Sequence, residues 1–300
     1  VTVTAASSHT DWFNETYERE NQSSGLLVGN NGVELLALTT YSEVEAADRL
    51  QVTFAENTTR EATLKKYDRV TDLAVISVNL ADIPENTLEY IRMADLGSSR
   101  ALYAGEPVIA VGSPVGVTDS VLYGNLAAVG YKTSVVDGEY TLLITDMAKA
   151  SKSSGVLLNL DGQVVGLIEN KYLSSGNKEA LTAYGISDMK SVIEHLSNNK
   201  DLVYLGITGA DVTAEITDTQ GIPDGVYVAG VEMNSPAMSA GIQAGDVITQ
   251  ISGQAVTSLA GIQEILLKFS RQQVIQVTVM RQGKGGYQEI SCSVTLEQME

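Results

Sequence analysis

Residues 151–167, SKSSGVLLNLDGQVVGL, set two short apolar runs on either side of the turn-forming NLDG, with serines 151, 153 and 154 at the entrance. Asn, Asp and Gly reach left-handed or side-chain-bonded backbone conformations at little cost, so this stretch is a strand, a tight turn and a second strand. Similar runs recur from about residue 25 to 187: GLLVG, LLALTT, RLQVTF, DLAVISV, PVIAVGS and TLLITD, each bounded by Gly, Asn, Asp or Ser. Short strands at this spacing, without helical periods between them, predict an antiparallel barrel or sandwich.

The period changes at SDMKSVIEHLSNN, residues 187–199, where Met189, Val192, Ile193 and Leu196 fall on one helical stripe and Ser187 stands as the N-cap. The polar SNNKD at 197–201 is the expected boundary, giving a domain over 1–196 and another over 202–300. The second half is a small mixed α/β module: strand-like YLGITG and GVYVAGVEM, a helix SLAGIQEILLKF at 258–269, and two closing strands joined by the GKGG hairpin turn at 283–286.

Composition narrows the partners. Among 300 residues, 37 acidic and 19 basic side chains give a net charge of −18. That charge repels phosphate backbones and anionic headgroups, leaving neutral or basic peptides as the natural class. No apolar run reaches the ~18 residues that span a bilayer. Val1 opens a strand-like VTVTA, so further sequence upstream of residue 1, with an export signal or a membrane anchor, is expected. The single Cys292 alternates with Ile290, Val294 and Leu296 on one strand face, a core thiol outside any disulfide framework. No His, Cys, Asp and Glu cluster has metal-ligand spacing, and no cofactor is implied.

A serine becomes a nucleophile only with a base beside it, and the chain has only His9 and His195. Six landmarks bear on this in order: SSGLLVGNNG at 23–32, LTTYSEVEAADRLQV at 38–52, YDRVTDLAVISV at 67–78, GEPVIAVGSPVGV at 105–117, TDMAKASKSSGVLLNLDGQVVGL at 145–167 and YGISDM at 184–189. In this series the first domain resembles the trypsin-like protease domain of the HtrA family, and the second resembles the PDZ domain that follows it there. The resemblance implies a mainly β fold: two six-stranded antiparallel barrels of trypsin-like type, then a small α/β PDZ domain. It sets Ser42 where the family has its catalytic histidine, and Asp72 where the orienting aspartate stands. Ser153, or Ser154 if the loop is one residue shorter, takes the nucleophile position. Ser151 replaces the first glycine of the family's nucleophile motif, whose N–H helps bind the oxyanion, and Ser154 replaces the next. Lys149 or Lys152 as a non-histidine base, or recruitment of His9 or His195, are the alternatives for an active site.

The PDZ resemblance assigns carboxylate binding to the loop Tyr204, Leu205, Gly206 and Ile207, whose successive N–H groups can receive a peptide's terminal carboxylate while the peptide adds to a sheet edge. Ile262 and Leu266 would line the pocket for its last side chain, unless both are simply core. Trp12, Phe13 and Tyr17 either pack over the first barrel or form a recognition patch, and Asn14, Asn21 and Asn57 begin N-x-S/T sequons. The expected protein is a catalytically silent HtrA-like chain that binds peptide or protein C-termini and unfolded polypeptide in extracytoplasmic quality control or signalling, in a family whose members often form trimers. The alternatives are an active serine endopeptidase and a structural interaction protein with an occluded PDZ groove.

Overall fold

The computed structural model describes residues 1–10, 16–170 and 179–299. Trp12, Phe13 and Asn14 lie outside the described residues, as do the side chains of His9 and Tyr17. The chain forms two compact units: Val1–Tyr131 with Thr141–Lys200, and Lys132–Tyr140 with Asp201–Glu300.

The first unit begins with strands β1 (Thr2–Thr10), β2 (Thr16–Ser24), β3 (Leu26–Asn30), β4 (Glu34–Thr40), β5 (Arg49–Thr53), β6 (Thr59–Asp68) and β7 (Leu73–Asn79). They make one antiparallel sheet in the order β2-β1-β5-β6-β7-β4-β3. The near-continuous apolar runs ELLALTT and LAVISVN are its central β4 and β7, buried along almost their whole length. β6, TREATLKKYD, alternates and keeps one face toward water. This is a seven-stranded curled sheet rather than a closed six-stranded barrel. Its two edge strands, β2 and β3, are consecutive in the chain and separated only by Gly25, so the sheet bends back on itself there without a pairing that closes it. Val3, Leu35, Val52, Ile76 and Val78 fill the space it encloses, each contributing about 1.5–3 kcal/mol by burial.

A second set, β8 (Pro107–Ser113), β9 (Ser120–Val135), β10 (Gly138–Ala148), β11 (Ser154–Leu158), β12 (Val164–Glu169) and β13 (Ala180–Gly185), closes into a barrel in the order β10-β13-β12-β11-β8-β9. β11 and β12 are the strand pair of the opening stretch. Their turn is held by Asn159, whose Oδ1 accepts from Asp161 N at 3.1 Å and from Gln163 N at 2.8 Å. Short helices α1 (Tyr41–Val44) and α2 (Glu85–Leu88) lie in the connections, and α3 (Ile186–Ser197) follows the barrel. The α3 stripe is buried at Ile186, Met189, Val192, Ile193 and Leu196. Ser187 is not its N-cap: burying Ile186 draws the helix start upstream, and Gly185 takes the cap position. Ser187 instead exchanges hydrogen bonds with Ser99, giving its N–H to Ser99 Oγ at 3.1 Å and accepting Ser99 N–H at 2.9 Å.

The second unit runs β14 (Val203–Tyr204), β15 (Ile207–Asp211), α4 (Ala214–Gln220), β16 (Val226–Val231), α5 (Pro236–Ser239), β17 (Val247–Ile251), β18 (Gln254–Ala255), α6 (Leu259–Leu266), β19 (Val274–Gly283), β20 (Gly286–Thr295) and β21 (Glu297–Gln298). Its main sheet follows β15-β16-β17-β19-β20, with β18 on β17 and β14 paired to β21. The GKGG turn joins β19 to β20, with Gly283 facing Gly286. Cys292 is buried in the core with Ile275, Val277 and Val294. α6 is shorter than the 258–269 expected and is capped by Ser258 Oγ, which accepts from Gly261 N at 3.1 Å. α4 was not expected: none of its residues is buried, so it carries no apolar period, and only the Thr213 cap and the left-handed Gly221 mark its ends.

One ion pair anchors β19. Asp246, 1% exposed, accepts from Arg281 Nε at 2.7 Å and from its second guanidinium nitrogen at 2.8 Å. Arg281→Ala leaves a buried carboxylate whose remaining partner among the described residues is the Gln243 N–H. Arg281 is itself 30% exposed, so the expected loss is roughly 2–3 kcal/mol, below the 3–5 of a fully buried pair. A lowered urea midpoint for the second unit is the measurement.

Candidate functional sites

The β4–β7 register ends with Thr40 opposite Leu73, which brings the next residues of each strand, Tyr41–Ser42 and Asp72, side by side. Asp72 occupies the left-handed region at φ +61, a conformation Asp tolerates better than most residues. It accepts Ser42 N at 2.8 Å on one carboxylate oxygen and Ser42 Oγ at 2.8 Å on the other. Beneath, Tyr41 stacks on Tyr67 with ring centroids 4.2 Å apart, and the Arg69 guanidinium lies 5.4 Å above the Tyr41 ring. Asp72 therefore orients a hydroxyl. With a proton to give and almost no basicity near neutral pH, that hydroxyl cannot act as the imidazole of a triad does.

Ser153 and Ser154 lie at the start of β11, on the loop that precedes the β11–β12 turn. Ser153 is 2% exposed, and its hydroxyl donates to Pro114 O at 2.8 Å while accepting Ala150 N at 3.1 Å. Asn170 fixes its backbone from both sides, accepting Ser153 N at 3.2 Å and donating to Ser153 O at 2.6 Å. Ser154, 8% exposed, accepts Ser24 N at 3.2 Å. Gly155 sits at φ +121, where an added Cβ would fall 2.1 Å from Val111 O, so this turn has no room for another residue. Among the described residues, no hydrogen bond joins either serine to Ser42, to Asp72 or to a lysine. Lys152, 65% exposed, pairs with Glu43 at 3.0 Å, and Lys149 donates to Asn170 O at 3.5 Å. Among the described residues, these contacts point both lysine amines away from the two serines. His195 is half-buried on α3, and burial pulls its pKa below the usual imidazole value, with Lys200 adding to the fall. Asn170, Pro114 and Ser24 shape this loop through side-chain and backbone bonds that span 17 to 130 residues. No local sequence signal marks them.

In the second unit, Tyr204–Ile207 makes the loop between β14 and β15. Gly206 at φ +89 turns the backbone so that three successive N–H groups point to one side. That side is occupied. The Asp137 carboxylate accepts Leu205 N at 2.6 Å, Gly206 N at 2.9 and 3.0 Å to its two oxygens, and Ile207 N at 2.9 Å. Asp137 also gives its own N–H to Ile207 O at 2.9 Å. The group is 5% exposed, and burial pushes its pKa up to about 6 against the opposing pull of the three amides, with Glu232 raising it further. Ile262 and Leu266 are packed in the core, 0% and 4% exposed, because α6 buries its whole stripe of Leu259, Ile262, Ile265 and Leu266. Gln263, on the next face, donates to the Tyr140 hydroxyl.

Comparison with known proteins follows the same division. The trypsin-like peptidase domain pattern matches residues 23–167, and the PDZ domain pattern matches residues 203–292. Serine protease Do-like HtrA of Lactobacillus helveticus is 30% identical over 302 residues, covering 94% of this chain and 69% of the relative. Serine protease Do-like HtrB of Bacillus subtilis is 31% identical over 87% of this chain and 60% of its own length. A probable periplasmic serine endoprotease DegP-like of Halomonas elongata is 30% identical over 89% and 55%. The chain thus spans 55–60% of the length of the last two. Among solved structures, the HtrA-type protease AlgW with decapeptide superposes with a TM-score of 0.65 at 20% identity, covering 100% of this chain and 95% of that one. The serine endoprotease from Yersinia pestis superposes at 0.59 and 21%, covering 100% and 94%.

Proposed function

Because the chain belongs to the HtrA family of trypsin-like serine proteases with a PDZ domain, we propose that it is a catalytically silent member that binds polypeptide C-termini through its second unit. The observation that carries the first half is the Ser42–Asp72 pair at 2.8 Å, a hydroxyl in the place where a triad needs a base. The Ser153 hydroxyl, given to the Pro114 carbonyl, supports it. Binding rests on the loop Tyr204–Ile207, whose three aligned N–H groups already hold a carboxylate. The relatives named periplasmic support action outside the cytoplasm.

A second reading, an active endopeptidase, draws on the names of those relatives and on the presence of Ser153 and Asp72. Incubating the full chain with a fluorophosphonate and mapping adducts by mass separates the two. We expect Ser153 and Ser154 to stay unmodified under conditions that label trypsin fully. An adduct on either, abolished by heat denaturation, overturns the silent reading.

A further inference from the structure

We propose that Asp137 is a built-in ligand of the carboxylate loop, so that the second unit is closed by its own chain and opens to a peptide only when the 132–140 turn is displaced. The inference rests on the peptide-binding reading above and adds the regulation of that site.

The geometry is that of an incoming chain end. One residue supplies a carboxylate to three successive N–H groups and its own N–H to the carbonyl of the last of them. This is main-chain pairing at a sheet edge plus capture of a carboxylate, supplied here by a side chain. The segment is held elsewhere too. Val135, Gly138 and Tyr140 are buried, and Tyr140 takes the Gln263 amide proton. Residues 132–140 cluster with the second unit although residue 137 is 68 to 70 positions before the loop it fills. Nothing about a two-residue turn requires this. Val136 and Asp137, the latter at φ +58, make the β9–β10 turn, with Gly138 already opening β10, so the burial of the Asp137 carboxylate is additional to the turn.

The closure carries a pH signature. Within the loop the carboxyl titrates near 6, against about 4 once released to water. The closed form therefore holds its proton more tightly than the open form, and closure strengthens as pH falls through 6 and is weakest above about 7. Of the charged groups nearby, Glu232 acts in the same direction, and Lys132 and Glu139 on the turn pair with each other. Glu232 remains in every variant below, so its contribution is common to all of them.

The test uses the full chain and a synthetic decapeptide with the sequence of residues 127–136, AAVGYKTSVV, as free acid and as C-terminal amide. Asp137→Ala should bind the free acid at least about tenfold more tightly than the parent, since the ligand no longer competes with an attached one. In the unliganded protein, the amides of Leu205, Gly206 and Ile207 should exchange with solvent faster in the variant. Between pH 7 and pH 5 the parent's affinity should fall about tenfold while that of Asp137→Asn, which keeps the side chain's shape, stays level. Equal affinities and unchanged amide protection in parent and Asp137→Ala overturn the proposal. Loss of protection with free-acid and amidated peptides bound alike upholds the closure and overturns the peptide-end reading instead.

Discussion

Ser42→His alone should leave casein uncleaved, and the first variant expected to cleave it combines that change with Ser151→Gly and Ser154→Gly. A histidine at residue 42 would find the Asp72 carboxylate waiting, since among the described residues its two oxygens bond to that residue's N–H and hydroxyl. The base would then face a serine whose hydroxyl is turned into the Pro114 carbonyl and whose loop is pinned by Asn170. Triad members act as a unit: loss of the serine or histidine costs about 10⁶ in turnover, and an oxyanion donor a further 10²–10³. Restoring one part recovers almost none of it. Fluorescent casein release, with Ser153→Ala as the companion in each background, measures this. Turnover by the parent chain that vanishes in Ser153→Ala contradicts it.

Gly206→Val should abolish peptide capture and destabilise the second unit by about 2–4 kcal/mol. At φ +89 a β-branched residue is strained by about 1–2 kcal/mol. Its Cβ would also fall 2.2 Å from Ser235 Cβ. Ser235 cannot simply move, because its hydroxyl caps α5 by accepting Met238 N at 3.1 Å, a bond worth about 1 kcal/mol. Gly253→Val is the control. At φ +77 it carries the strain, but its Cβ meets nothing within 4 Å. Thermal midpoints should fall in both and clearly further in Gly206→Val, with peptide binding lost only there. Equal losses would place the whole effect in backbone strain.

These elements differ in how they announce themselves. β11–β12 and β19–β20 are legible because apolar period, turn residues and pairing all lie within a few residues of one another. α3 is legible to within two residues at each end, the error at its start coming from the buried Ile186, which a polar-cap rule does not weigh. α4 was missed because a helix with no buried face leaves no period to find. The seven-stranded curl depends on β1 pairing with both β2 and β5, a long-range choice without a local marker. At the sites the contrast is sharper. The nearness of Ser42 to Asp72 follows from the resemblance, whereas the inward turn of Ser153 depends on a carbonyl 39 residues away. Asp137 carries no local signal in the sequence, because the amides it meets lie 68 to 70 residues later.

The second unit is discontinuous, residues 132–140 and 201–300, and this changes what an excised domain can report. A fragment beginning at residue 201 keeps every strand of the β15–β20 sheet but loses the attached competitor. A ligand attached to the same chain acts at an effective concentration set by the length and stiffness of what joins it to its site. A peptide then binds the intact chain more weakly than the fragment by about the ratio of that effective concentration to the attached carboxylate's own dissociation constant. The ratio of the two affinities therefore measures how strongly the attached carboxylate closes the loop, and the fragment's value is the intrinsic constant rather than the working one.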